Sequence, residues 1–143
     1  MTEKKSLEKE LIKHFKRDKF ISFIGIEPIE AKIGYGRAKL EVKKHHLNSV
    51  DICQGGAIFT LADYAFAIAS NSHGRVAVGI STNMNFVKAA LEGDTLHAEA
   101  KEDSLGHKLA SYNVKVTNQN NETIALFQGM VYRKEQNLQD FSK

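Results

Sequence analysis

The apolar positions along the chain change their period twice. Over residues 6–18, SLEKELIKHFKRD, Leu7, Leu11, Ile12 and Phe15 fall on one helical stripe, and Ser6 is placed to cap it. The apolar run 21–29 closes at Pro28 and predicts a short strand or loop laid over the core. Residues 36–44 alternate: Ala38, Leu40 and Val42 point one way, Arg37, Lys39, Glu41 and Lys43 the other, the pattern of a half-exposed strand. Residues 55–73, GGAIFTLADYAFAIASNSH, are apolar on nearly every face, which predicts a helix buried all round and capped by Gly74. Beyond Gly74 the period is two. Strands are expected over 75–90, 95–102, 108–117 and 123–133, with a turn at Glu92-Gly93-Asp94 and loops at 104–107 and 118–122. The polar tail 134–143 is expected to fray.

Helix, strand, long apolar helix, then an antiparallel meander is the order of an α+β fold. The 143 residues fit a single domain over 1–143, with residues 1–20 as a leading helix and no room for a separate cofactor module. A sheet curved round the long helix supplies most of its apolar cover, and a second subunit is expected to supply the rest.

Composition narrows the function classes. At 42% hydrophobic and 26% charged, the chain is ordinary for a globular domain. No apolar run reaches the roughly 18–20 residues of a membrane span, so no membrane partner is expected. The charged start MTEKKSLEKE has no secretory core, so the expected compartment is the cytoplasm. The lone Cys53 excludes an intramolecular disulfide framework and a multi-cysteine zinc site. Residues 1–20 hold seven Lys and Arg against four Asp and Glu, which is the whole net charge of +3. A neutral body without aromatics interleaved among cations argues against a nucleic-acid partner.

Asp63 is the single carboxylate inside the apolar helix. Burying it costs free energy unless it is paired, and burial raises its pKa. It is either bonded to Thr60 or backbone, or functional. Gln54-Gly55-Gly56 opens the same helix, where unpartnered amides and the helix dipole favour negative charge. That is an oxyanion site made of backbone; a tight turn into a crowded helix is the plainer alternative.

In order along the chain stand His46-Leu47-Asn48-Ser49-Val50-Asp51-Ile52-Cys53-Gln54-Gly55-Gly56, Phe59-Thr60-Leu61-Ala62-Asp63, Asn71-Ser72-His73-Gly74, Gly79-Ile80-Ser81-Thr82-Asn83-Met84-Asn85-Phe86, Glu92-Gly93-Asp94 and Ala125-Leu126-Phe127-Gln128-Gly129. This series, across roughly residues 15–133, resembles the PaaI-type branch of the hotdog-fold acyl-CoA thioesterases. The resemblance implies a sheet wrapped round one central helix, and hydrolysis of an acyl-CoA ester without a metal or other cofactor, coenzyme A being part of the substrate. It implies a homodimer and a homotetramer built as a dimer of dimers. Asp63 becomes the general base or nucleophile, and the Gly55 N–H polarises the thioester carbonyl. Asn48 orients substrate or water, and Ser81 assists the acid in holding the water. Asn48 and Gly55 of one subunit then face Asp63 and Ser81 of another. Gly56 and Thr82 join the substrate-binding set, and Arg75, Lys88 and Lys108 are the candidates for the coenzyme A phosphates. Tyr64, Ile68 and Phe86 are expected to line the acyl tunnel.

Two positions depart from the family pattern. Gln54 stands where the family has His, and Asp51 where it has Gly. Gln54 can donate a hydrogen bond but cannot exchange a proton, and Asp51 adds an anion near the loop. They motivate a rival reading, a non-catalytic acyl-CoA-binding or regulatory hotdog module; a hotdog dehydratase fits the residue order less well. Cys53, without an assigned base, is expected to be a packed side chain. His45 and His46 are expected to point apart on a strand, and His73, His97 and His107 lack ligand spacing.

Overall fold

The computed structural model describes residues 2–141. Two helices, α1 (Thr2–Phe15) and α2 (Lys19–Ile24), precede β1 (Ile26–Lys32) and β2 (Tyr35–Glu41). The long helix α3 (Gly55–Asn71) follows, then β3 (Arg75–Phe86), β4 (Thr95–Leu105), β5 (Leu109–Thr117) and β6 (Thr123–Asn137). The strands form one antiparallel sheet in the order β1-β2-β4-β5-β6-β3, with α3 against one face. The architecture is the expected α+β hotdog arrangement.

The register explains the core. Ala38 and Leu40 of β2, Leu96, Ala98 and Ala100 of β4, and Ala110, Tyr112 and Val114 of β5 alternate onto the helix side and are buried there. They meet Leu61, Ala65, Phe66 and Ile68 of α3 in one apolar cluster. The small residues let helix and sheet approach closely. A Cβ on Gly36 would lie 2.7 Å from the Ala65 carbonyl oxygen and 2.8 Å from the Ile68 Cβ, so any larger residue there pushes α3 off β2.

Several expectations change. The leading helix ends at Phe15, and a second helix, not a strand or loop, occupies Lys19–Ile24. Its ends are written in the sequence. The Asp18 side chain accepts from the Ile21 N–H at 3.1 Å, and Gly25, at φ 92°, closes it. Helix α3 is buried on most sides but not all round: Gly56 and Asp63 are exposed, and Thr60 and Ala67 half-buried, on one open stripe. Ser72 rather than Gly74 caps α3. The tail does not fray from 134: β6 runs to Asn137, a 3-10 turn covers Leu138–Phe141, and Leu138 packs on the core with its N–H on the Gly74 carbonyl at 2.8 Å. The expectation for Ser142 and Lys143 lies outside the described residues. No helix among the described residues is long and apolar enough to cross a membrane.

Candidate active site

The loop into α3 is built by side chains that fold back on it. Asn48 Oδ1 accepts from the N–H groups of Val50 (2.9 Å) and Ile52 (3.2 Å), and the Asn48 N–H donates to the Ile52 carbonyl at 2.8 Å. The turn puts Asp51 at φ 62°, in the left-handed region where glycine is the easy residue. That explains the glycine of the family pattern, and Asp is among the side chains that tolerate the position. With its oxygen tied down, Asn48 keeps Nδ2 as the donor without a partner among the described residues.

His46 stitches the loop to α2. It lies in a 3-10 turn, Lys44–His46, and is buried. The His46 and His45 rings lie side by side, centroids 4.2 Å apart and planes tilted by 52°, instead of pointing apart on a strand. Its Nδ1 accepts from the Lys43 N–H at 2.9 Å, and its Nε2 donates to the Ile24 carbonyl at 2.7 Å. Its carbonyl receives the Gln54 N–H at 2.8 Å, which fixes the start of α3.

Gln54 is the N-cap of α3, at φ −63° and ψ 133°. Its Oε1 accepts the Gly56 N–H at 2.6 Å, and its carbonyl takes the N–H groups of Ala57 and Ile58. The Gly55 N–H therefore has no acceptor among the described residues and sits at the positive end of a 17-residue helix. The Gly56 amide is engaged by Gln54, so any part Gly56 has in binding substrate does not run through its N–H. The Phe86 ring flanks Gly55, 3.2 Å from where a Cβ would stand.

Asp63 follows two turns later on the open stripe. No hydrogen bond or ion pair holds its carboxylate among the described residues. Thr60, the partner considered from the sequence, donates its hydroxyl to the Gly56 carbonyl at 2.7 Å instead. Surrounding protein raises the Asp63 pKa, and the Asp18 carboxylate adds to the rise. Along α3, eight residues at about 1.5 Å each separate Gly55 from Asp63 by roughly 12 Å. Within one chain, the two cannot act on the same carbonyl.

The remaining candidates scatter. Ser81 pairs with Met130 on the face turned away from α3, where it lines a shallow recess with Ser111 and Gln128. Thr82 pairs with Gly129, where an added Cβ would strike Phe66, and so faces α3. Ser81 is thus not beside Asp63 of its own chain. Arg75 is not free for phosphates: its guanidinium donates to the carbonyls of Lys134, His107 and Arg133 at 2.8–2.9 Å. Lys88 is ion-paired with Glu122. Lys108 is exposed near Arg75, whereas Lys88 lies beyond the other end of a 12-residue strand, about 40 Å away. The three cations cannot share one ligand within one chain. Tyr64 and Ile68, expected to line the acyl tunnel, are packed in the core among the described residues, and the Tyr64 hydroxyl donates to the Phe15 carbonyl at 2.8 Å. Cys53 is the packed side chain expected, its pKa pushed up to about 11 by burial. A feature not anticipated is an open recess of about 410 Å³ between α2 and the head of α3. Its signal was the Asp18 and Gly25 caps bracketing KFISFI.

Comparison with known proteins adds to this geometry. Residues 51–125 match the family model described as Thioesterase superfamily. A protein of Archaeoglobus fulgidus carrying a provisional esterase name is 48% identical over 134 residues, covering 92% of this chain and 87% of that one. The acyl-coenzyme A thioesterase PaaI of Escherichia coli K12 is 34% identical over 119 residues, covering 83% and 85%. The solved E. coli PaaI structure superposes with a TM-score of 0.87, covering 92% of this chain and 98% of that one. A Streptococcus mutans structure bound to acetyl CoA gives a TM-score of 0.77 at 27% identity, covering 80% and 93%.

Proposed function

The chain belongs to the thioesterase superfamily, in its PaaI-type hotdog branch, and on that premise we propose that it hydrolyses acyl-CoA thioesters to the free acid and coenzyme A. One observation carries the reading: among the described residues, the first amide at the positive end of α3 has no acceptor, and the same helix bears a carboxylate of raised pKa with no hydrogen-bond or ion-pair partner.

The chemistry follows from the two groups. Asp63 takes a proton from water, or attacks the thioester carbonyl itself. The Gly55 N–H and the α3 dipole hold the negative charge that develops on the carbonyl oxygen. The C–S bond breaks and coenzyme A leaves as thiolate and takes up a proton. Where the deprotonated water attacked the carbonyl, the free acid forms directly; where Asp63 attacked, water hydrolyses the resulting mixed anhydride to release the acid and restore the carboxylate. The free Nδ2 of Asn48 is placed to orient the substrate. A raised carboxylate pKa brings the base closer to working pH. None of these steps calls on a metal or a redox cofactor.

The roughly 12 Å between donor and acid leads us to place each site between two copies, Gly55 and Asn48 of one facing Asp63 of the other. The twelve-residue edge strand β3 supports this, because one of its edges has no partner strand among the described residues and its Val78 and Ile80 side chains are exposed. An unpaired edge of that length is a template for a second strand. The assembly we propose is a homodimer that doubles to a homotetramer, each chain one domain. A single buried cysteine fits the reducing cytoplasm.

The rival, an acyl-CoA-binding module without turnover, draws on Gln54 capping its own helix and leaving fewer free amides. A thiol-release screen over a panel of acyl-CoA esters separates the two. The wild type is expected to turn over at least one ester, and Asp63→Ala to abolish release while the oligomer survives. Tight ester binding without release favours the rival, and wild-type turnover by Asp63→Ala rejects the assignment.

A further inference from the structure

We infer that the recess between α2 and the first two turns of α3 receives the apolar tail of the acyl group, with Phe20 as the residue that selects it. The inference rests on the thioesterase reading of this site. Helix α2 lies along the open stripe of α3. At one end Asp18 is close enough to act on the Asp63 carboxylate; at the other, Ile24 is tied to His46 beside the α3 N-cap. The space between is lined by Phe20, Ile24, Leu47, Ala57 and Thr60, together with His45, His46, Gln54 and Gly56. Gln54 and Gly56 flank the free Gly55 amide, so a carbonyl held there has the recess as its neighbour. At about 410 Å³ the space is within the roughly 300–1,000 Å³ of small-molecule sites.

The lining chooses between parts of the substrate. Both His46 ring nitrogens are spent on backbone, the Thr60 hydroxyl donates to the Gly56 carbonyl, and Gln54 Oε1 holds the Gly56 amide. The polar groups left over are the His45 ring and the Gln54 side-chain nitrogen, while Phe20, Ile24, Leu47 and Ala57 give the rest of the wall an apolar surface that suits hydrocarbon. Phe20 is 58% exposed, so its ring contributes little to the core and stands free as a wall.

The test compares kcat/KM for octanoyl-CoA and acetyl-CoA in the wild type, Phe20→Ala and Ala57→Leu. The wild type is expected to prefer octanoyl-CoA. Each variant is expected to lower the octanoyl-to-acetyl ratio by about tenfold, one by removing apolar contact and the other by filling the space. An unchanged ratio in both variants overturns the inference while leaving the thioesterase reading intact. A Phe20→Ala chain whose oligomer dissociates, by light scattering, makes Phe20 a contact between copies and also overturns it. A wild type that releases thiol from neither these nor any other ester fails the thioesterase reading itself, and the inference falls with it.

Discussion

Gln54 Oε1 holds the Gly56 N–H at 2.6 Å, and this bond singles out Gly55 as the unengaged amide at the head of α3. The residue where the family pattern has His thus caps its own helix. Donor power at the site is concentrated in one peptide group, which makes that group testable by a substitution of backbone chemistry.

Gly55→Pro removes the amide and should leave the helix in place. Gly55 is the first helical residue, where proline is well tolerated, and Gln54 at φ −63° and ψ 133° already has the conformation a residue before proline prefers. The Phe86 ring beside the new side chain is exposed and can give way. Turnover is expected to fall by about 10²–10³ with the fold retained by circular dichroism.

The acid limb of the pH profile should report Asp63. As pH falls through its raised pKa the carboxylate gains a proton, and kcat/KM is expected to drop. Asp18→Asn keeps the cap on α2 but removes a neighbouring charge, so the limb should move to lower pH.

The same shift has a cost in stability. A carboxylate whose folded pKa lies above the ordinary 3.8 holds its proton more tightly when folded. Its stabilising contribution is complete below pH 3.8 and is lost as pH rises through the folded pKa. Asp63→Asn is therefore expected to raise Tm at pH 7 while abolishing activity, with the gain in Tm vanishing toward pH 3.8.

Asp51→Gly relieves a left-handed side chain and gives up some backbone entropy, for a net gain of about 0.5 kcal/mol in urea unfolding.

Arg75→Ala should destabilise by about 2 kcal/mol, since three carbonyls lose a charged donor, and leave KM for the ester near the wild-type value.

How much of this was legible in the sequence depends on how local each cause is. The alternation of Ala38, Leu40 and Val42 and the apolar run of α3 report directly which faces are buried, so the α+β outline could be read without coordinates, and the hotdog arrangement followed from the family resemblance of the motifs. Helix α2 was missed although its Asp18 and Gly25 caps are local, because Ile21 and its apolar neighbours carry the composition of a strand. The open stripe of Gly56, Thr60, Asp63 and Ala67 was hidden because small residues look the same whether they face a core or a gap. The engagement of Arg75 was beyond reach: its acceptors lie 32 to 59 residues away along the chain. The role of Gln54 turned on a side-chain rotamer that composition does not specify.

Mixing two dead chains tests most directly whether the site is shared between copies. Gly55→Pro keeps the acid and Asp63→Ala keeps the amide; each alone should release almost no thiol. Refolded together in equal amounts, they should recover roughly a quarter of wild-type activity, because random pairing leaves one site in four with both groups intact. A mixture no more active than either chain by itself would contradict a site built from the Gly55 of one copy and the Asp63 of the next.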